Sequence, residues 1–152
     1  MIPSTIERVP QHTAESVNEE IRRHTKERIE QLASAGRSAI NRRLAELDHD
    51  WDIERTLEAN AAALTVAGAA LALVKYRRFA LVPLIVGSFL IQHSIQGWCP
   101  PLPVFRRLGV RTQSEIDYER YALKALRGDF RNLPNSEASA ANAEELVDTM
   151  RR

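Results

Sequence analysis

The amino-acid sequence predicts an all-α fold: a two-span transmembrane helical hairpin flanked by amphipathic helical arms. Three observations carry that expectation. Residues 59–105 hold no charged side chain except Lys75, Arg77 and Arg78. The polar segments on either side repeat apolar residues at three- and four-residue spacing, as a helix with one packed face does. No glycine or proline interrupts the chain between Gly36 and Gly68, so a helix can run from the polar arm into the apolar region. The averages conceal this partition: over 152 residues, 21 Lys and Arg oppose 20 Asp and Glu, for a formal charge of +1. Such a balance implies no bulk electrostatic partner, and nucleic acid is not expected.

The first fourteen residues, MIPSTIERVPQHTA, lack the apolar run of a signal peptide, so membrane entry is expected to use internal segments. Thr13 or Ser16 can cap a first helix, and Ser16 with Glu19 fits a capping box, with Gly36 as the stop. Along it Val17, Ile21, Ile29 and Leu32 make a narrow stripe that suggests one packing partner. A second helix opens at Ser38 and carries Ile40, Leu44, Leu47 and Trp51 on one face. The two can fold back on each other, and the second is expected to continue unbroken as one long helix.

Its apolar portion, residues 59–74, would reach roughly 24 Å at about 1.5 Å per residue, short of a hydrocarbon core of about 30 Å. Residues 79–99 would reach roughly 31 Å and form the better span. The expected spans are about 59–76 and 79–98. Only Lys75, Tyr76, Arg77 and Arg78 lie between the two segments, which must be antiparallel neighbours with a cationic tip, while Trp98 suits the opposite interface. Small residues recur as Ala59, Ala63, Ala67 and as Ala61, Thr65, Ala69, favouring close approach of the second helix or of another copy. The competing reading is the buried hairpin of a soluble bundle, but the arms offer few apolar residues to surround it. Arg42, Arg43, Arg55, Arg106, Arg107 and Arg111 near the base favour cytoplasmic termini by count, whereas the dense charge of the tip argues the reverse.

Three prolines in the segment GWCPPLPVFRRLGVRT, residues 97–112, are expected to stop the helix and impose an extended or turning exit. The hairpin followed by Gly97, Cys99 and Pro100, and then by Leu108, Gly109 and Thr112, resembles the G-x-C-P and L-G-x-x-T ending of the YgaP-like transmembrane domain family over residues 53–112. The resemblance implies a small bacterial inner-membrane protein that self-associates through its hairpin, with both termini cytoplasmic. Some members of that family carry a rhodanese-type sulfurtransferase domain; this chain contains none, and its long N-terminal arm departs from the usual short form.

A lone Cys99 excludes an intramolecular disulfide framework and a multi-thiolate zinc site. At an interface it could form a persulfide or an intersubunit disulfide, with Arg106 and Arg107 nearby in sequence as activating cations. The plainer reading is a small packing residue at a helix end. His93, flanked by Gln92 and Gln96, is the ionisable group inside the second span. It could bind a metal, ligate a haem iron from two copies, or relay protons; the plainer reading is a hydrogen bond to the neighbouring helix. No phosphate loop, metal-spaced carboxylate pair or nucleophile elbow occurs, so no catalytic residue, metal or cofactor is assigned.

Thr112 with Glu115 reads as another capping box, and Ile116, Leu123, Leu126 and Phe130 share a face before Gly128 and Pro134. That helix could lie among lipid headgroups or dock on the N-terminal helices. The division expected is an amphipathic arm over 1–37, the long helix and hairpin over 38–112, an amphipathic helix over 113–130, and a tail over 131–152 with at most a short helix near Glu144 to Met150. The function expected is a membrane-anchored scaffold or accessory subunit whose arms meet a protein partner. Sulfur or redox handling at Cys99 beside a sulfurtransferase is the alternative, and small-solute transport by an oligomer of hairpins with His93 inward is the third.

Overall fold

The computed structural model describes residues 4–131, and all regular structure among them is helical. The helices are α1 (Arg8–Gln11), α2 (Glu15–Ala35), α3 (Arg37–Leu47), α4 (Ile53–Val74), α5 (Leu81–Gln96, entered through a 3-10 turn over Arg77–Ala80), α6 (Leu102–Arg107) and α7 (Gln113–Arg127). The tail expected to hold a helix near Glu144 lies outside the described residues.

Helices α4 and α5 form the expected hairpin. Two segments, Ile53–Val74 with 22 residues and Arg77–Gln96 with 20, are long and apolar enough to cross a membrane, since 22 residues rise about 33 Å. The pair closes at Gly68, where a Cβ would stand 2.7 Å from the Val82 Cβ. Pro83 falls in the first turn of α5, where its missing N–H removes no helical bond. Ala61, Thr65 and Ala69 are partly covered, whereas Ala59, Ala63 and Ala67 stay exposed.

The remaining helices build a head at the open end of the hairpin. Ile40, Leu44 and Leu47 of α3 pack with Ile116 and Leu123 of α7, and Ile29 and Leu32 of α2 close over them. Helix α7 thus docks on the N-terminal helices, although Leu126 is exposed and Phe130 lies beyond its end. A second cluster, Val9, Ile53, Leu57, Cys99 and Leu102, with Trp98, Phe105 and Val110 against it, seats the hairpin in the head.

Several local expectations need correction. The long helix does not form: the chain breaks after Leu47, and α4 restarts at Ile53. Asp52 caps the new helix by accepting from the Arg55 N–H at 2.8 Å, and the Ile53 N–H donates to the Arg111 carbonyl at 2.8 Å. An aspartate offers the backbone a capping bond in place of a continued ladder. Trp51 leaves the stripe and lies half exposed, with the Arg55 guanidinium 4.4 Å from its ring centre. The Ser16 capping box is also absent, because α2 starts at Glu15 after Ala14. Thr13 instead donates to the Val9 carbonyl at 2.9 Å. The proline-rich exit, by contrast, takes the turning form expected of it: the chain turns at Pro100 and Pro101 into the short helix α6, and Pro103 lies in its first turn, where proline is tolerated. The Thr112–Glu115 capping box forms, and Gly128 ends α7 in the left-handed conformation.

Candidate functional site

At the base of the hairpin a polar chain crosses an otherwise apolar seat. Helix α5 ends at Gly97, whose φ of +80° is left-handed and whose N–H donates to the His93 carbonyl at 2.7 Å. Any Cβ there would stand 2.6 Å from the Arg8 carbonyl oxygen, so glycine lets α1 lie directly on the turn. Arg8 then donates to the Ser94 carbonyl and to Glu54 Oε1, both at 2.8 Å. The other Glu54 oxygen, Oε2, stands 2.8 Å from His93 Nε2. A carboxylate can only accept, so Nε2 carries a proton in this contact.

His93 is 2% exposed and Cys99 5% exposed. Cys99 lies near His93, and His93 Nδ1 is buried without a hydrogen-bond partner. The resulting order, carboxylate, imidazole, thiol, is one in which a histidine held by a third group faces a potential nucleophile. The sequence does not single out Glu54 and Arg8; their distance from His93 along the chain hides the pairing, and Glu58, one turn on, is a carboxylate of the same kind. Gln92 is half buried and Gln96 exposed, and neither joins this chain.

Cys99 also forms part of the wall of a cavity of about 260 Å³ between α4, α5 and the segment leading into α6. Leu57, Ala61, Leu64, Phe89, Leu90 and Phe105 line it, and Asn60 is its one polar lining residue. The Asn60 amide is already engaged, donating to the Thr56 carbonyl at 2.8 Å.

The head is held by two buried guanidinium networks. Arg106, 1% exposed, uses all five N–H groups. Two bonds reach the Glu115 carboxylate at 2.7 and 2.8 Å, and the others reach Asn18 Oδ1 at 3.0 Å, the Val110 carbonyl at 3.0 Å and Thr13 Oγ1 at 3.2 Å. Arg106 is thereby committed to the head and does not serve the thiol as the sequence suggested. Burial alone would raise Glu115, but the Arg106 pair and the Thr112 N–H outweigh it and hold the carboxyl below its ordinary range.

Glu119 is fully buried and receives three guanidinium groups: Arg43 at 2.8 Å, Arg28 at 3.2 Å, and Arg111 in a short contact. Arg111 reaches on to Asp50 at 2.7 Å. Burial opposes its ionisation, yet the arginines prevail and its carboxyl is also lowered. These networks explain the L-G-x-x-T segment physically. Gly109 makes the left-handed turn after α6 at φ +83°, Thr112 caps α7, and Arg111 between them reaches Glu119; Leu108 points outward, 73% exposed.

At the opposite end Lys75, Arg77 and Arg78 are all exposed. The Arg78 guanidinium lies 4.9 Å from the Tyr76 ring centre and 5.8 Å from that of Phe79. No carboxylate occurs between Glu58 and Glu115, and among the described residues the tip is a cluster of three exposed cations. Among the described residues no group of three His, Cys, Asp or Glu side chains could hold a metal ion. No family model, curated protein or solved structure matches the chain.

Proposed function

We infer that the protein is a two-span inner-membrane anchor of the YgaP-like kind whose helical head acts as a scaffold or accessory subunit at the cytoplasmic face. The observation that carries this reading is the nakedness of the hairpin. Only 11% and 6% of its two most apolar stretches are buried within the chain. Leu73 and Val74 are 88% and 87% exposed, and ten further large apolar side chains of α4 and α5 are over a third exposed. Fully burying such a side chain gains about 1.5–3 kcal/mol, so twelve that are on average a little over half exposed would forgo on the order of 10–20 kcal/mol in water, comparable with the whole stability of a domain at about 5–15 kcal/mol. Lipid removes that cost.

The scaffold role is supported by the head's economy of charge. Its buried ions pair internally, while the outer face of α2, with Glu19, Glu20, Arg23, Lys26 and Glu27, stays exposed for a protein partner. The exposed Ala59, Ala63 and Ala67 stripe offers a second hairpin a close approach. Expressed protein should resist alkaline carbonate, and Arg23→Glu with Lys26→Glu should lose the partner while keeping membrane retention. Carbonate release would overturn the anchor; undiminished partner capture would overturn the assignment to α2.

A second reading, thiol chemistry at Cys99 in the service of sulfur or redox transfer, is favoured by the His93 ring beside it. Mass spectrometry of Cys99 under sulfur load should find a persulfide; a free thiol throughout would remove that reading.

A further inference from the structure

We propose that the groove between α1, α2 and α7 is the docking site of this chain's own C-terminal segment, residues 143–152, which lies along it antiparallel to α2. The inference goes beyond the anchor and scaffold reading and does not depend on it.

The groove encloses about 750 Å³, within the range of about 300–1,000 Å³ in which proteins hold ligands. Pro10 of α1, Ile21 and Thr25 of α2, and Tyr118 of α7 line it. Thr25 is 4% exposed, yet among the described residues its hydroxyl has no hydrogen-bond partner. Buried hydroxyls are nearly always partnered, so the groove is incomplete at that point. Its charged side chains sort by position. Glu115 is spent on Arg106, and Glu15 pairs with Arg22 at 2.5 Å. That leaves Glu7 at the α1 end, met by the Gln11 amide at 3.4 Å, and Lys26 at the other, 3.9 Å from Glu30. A fitting occupant is apolar on one face, acidic where it meets Lys26 and basic where it meets Glu7.

The chain carries such a segment. Twenty-one residues follow Arg131, and the last ten read AEELVDTMRR. Leu146, Val147 and Met150 share a face at helical spacing, Glu144 and Glu145 stand at one end, and Arg151 and Arg152 at the other. Ten helical residues rise about 15 Å, close to the roughly 16 Å of α2 between Lys26 and Glu15. The direction also fits. Helices α2 and α7 run side by side in the same sense, because Arg106 joins Asn18 to Glu115 and Arg28 reaches Glu119. Arg37, just past α2, donates to the Arg127 carbonyl at the end of α7. The chain therefore leaves α7 beyond the Lys26 end of the groove. Residues 132–142 can extend about 36 Å, more than the roughly 16 Å of helix between Arg37 and Lys26. Glu144 and Glu145 then arrive first, where they can pair with Lys26 and accept from the Thr25 hydroxyl, and the two arginines arrive last, at Glu7. Tethering raises the effective concentration to the order of millimolar, so modest contacts suffice. Arg23 and Glu27 do not line the groove and stay available to a protein partner.

The test uses the full-length protein in detergent, with photoreactive benzoylphenylalanine at Tyr118 and a mixture of isotopically light and heavy chains. Expected are cross-links to residues 143–152 of the same chain; cross-links only between copies, or none to that segment, overturn the proposal. Hydrogen exchange supplies the second readout. Amides of 143–152 should exchange about tenfold or more slowly than in the free decapeptide. Thr25→Trp, which fills the groove, and Lys26→Glu should each return them to the free rate while α7 keeps its protection, so a lost dock is told apart from a lost fold. Glu144→Lys with Glu145→Lys should restore protection in the Lys26→Glu chain. Free-peptide exchange in the unaltered chain, undiminished protection in both groove variants, or no restoration by the reversed charges overturns the proposal.

Discussion

Replacing Arg106 by methionine removes five hydrogen bonds while nearly preserving side-chain volume. What is left behind sets the size of the effect: the Glu115 carboxylate loses both of its guanidinium bonds, and Asn18 and Thr13, each at most 9% exposed, lose a donor. Truncating one partner of a buried ion pair costs about 3–5 kcal/mol, a large fraction of a domain stability of about 5–15 kcal/mol. Urea unfolding in detergent, followed by the fluorescence of Trp98 packed at the hairpin seat, should show a loss of that order. Arg106→Lys should recover only part of it, because an ammonium has three donors and no planar fork. Adding Glu115→Gln to Arg106→Met should cost less than the sum of the single changes, since the second removes a charge the first has orphaned. A loss below about 1 kcal/mol for Arg106→Met would refute the claim that this network ties α1, α2, α6 and α7 together.

Acid should act on the head through both networks. The folded Glu115 and Glu119 lie below their ordinary value of 4.5, so their contribution is complete above that value and is lost as pH falls through it toward the folded values; unfolding titrations that are flat below pH 4.5 would contradict this. Glu119→Gln should cost about 3–5 kcal/mol and flatten that acid loss, because three guanidinium groups lose their shared carboxylate. Gly97→Ala should cost at least about 1–2 kcal/mol for the left-handed backbone alone and push α1 off the turn, read as faster proteolysis near Arg8; unchanged cleavage would contradict the close packing. Gly68→Leu should force α4 and α5 apart at Val82, lowering the thermal midpoint in detergent, whereas an unchanged midpoint would mean that the helices do not close there.

The parts of the fold that were legible in the sequence are those set by local chemistry. The run over 59–105, uncharged apart from Lys75, Arg77 and Arg78 at its turn, marks the hairpin because helix length and charge are additive along the chain. Thr112 with Glu115 marks the start of α7 because a capping box needs only four residues. The break before α4 is legible in the aspartates of Asp48-His49-Asp50-Trp51-Asp52, because an aspartate that caps a new helix ends the preceding one without glycine or proline. The pairings that build the site are of another kind. Glu54 meets His93 across 39 residues, Arg43 meets Glu119 across 76, and Arg106 meets Asn18 across 88. Charge periodicity places such side chains on helix faces and says nothing about which distant face they meet. His93 and Cys99 stood out singly, as an ionisable group in a span and a lone thiol, yet their relation depends on Gly97 turning the chain back toward the hairpin.

The central claim is that the hairpin crosses a bilayer and puts head and tip on opposite sides. Because Cys99 is buried, the decisive measurement introduces Ser34→Cys on the exposed head and, separately, Arg77→Cys at the tip, each in a Cys99→Ser background. A membrane-impermeant maleimide is then applied to intact and to opened cells. The account predicts that the tip cysteine labels in intact cells and the head cysteine only after opening. Labelling of both from the same side would contradict it and would return the hairpin to the surface of a protein that does not span the membrane.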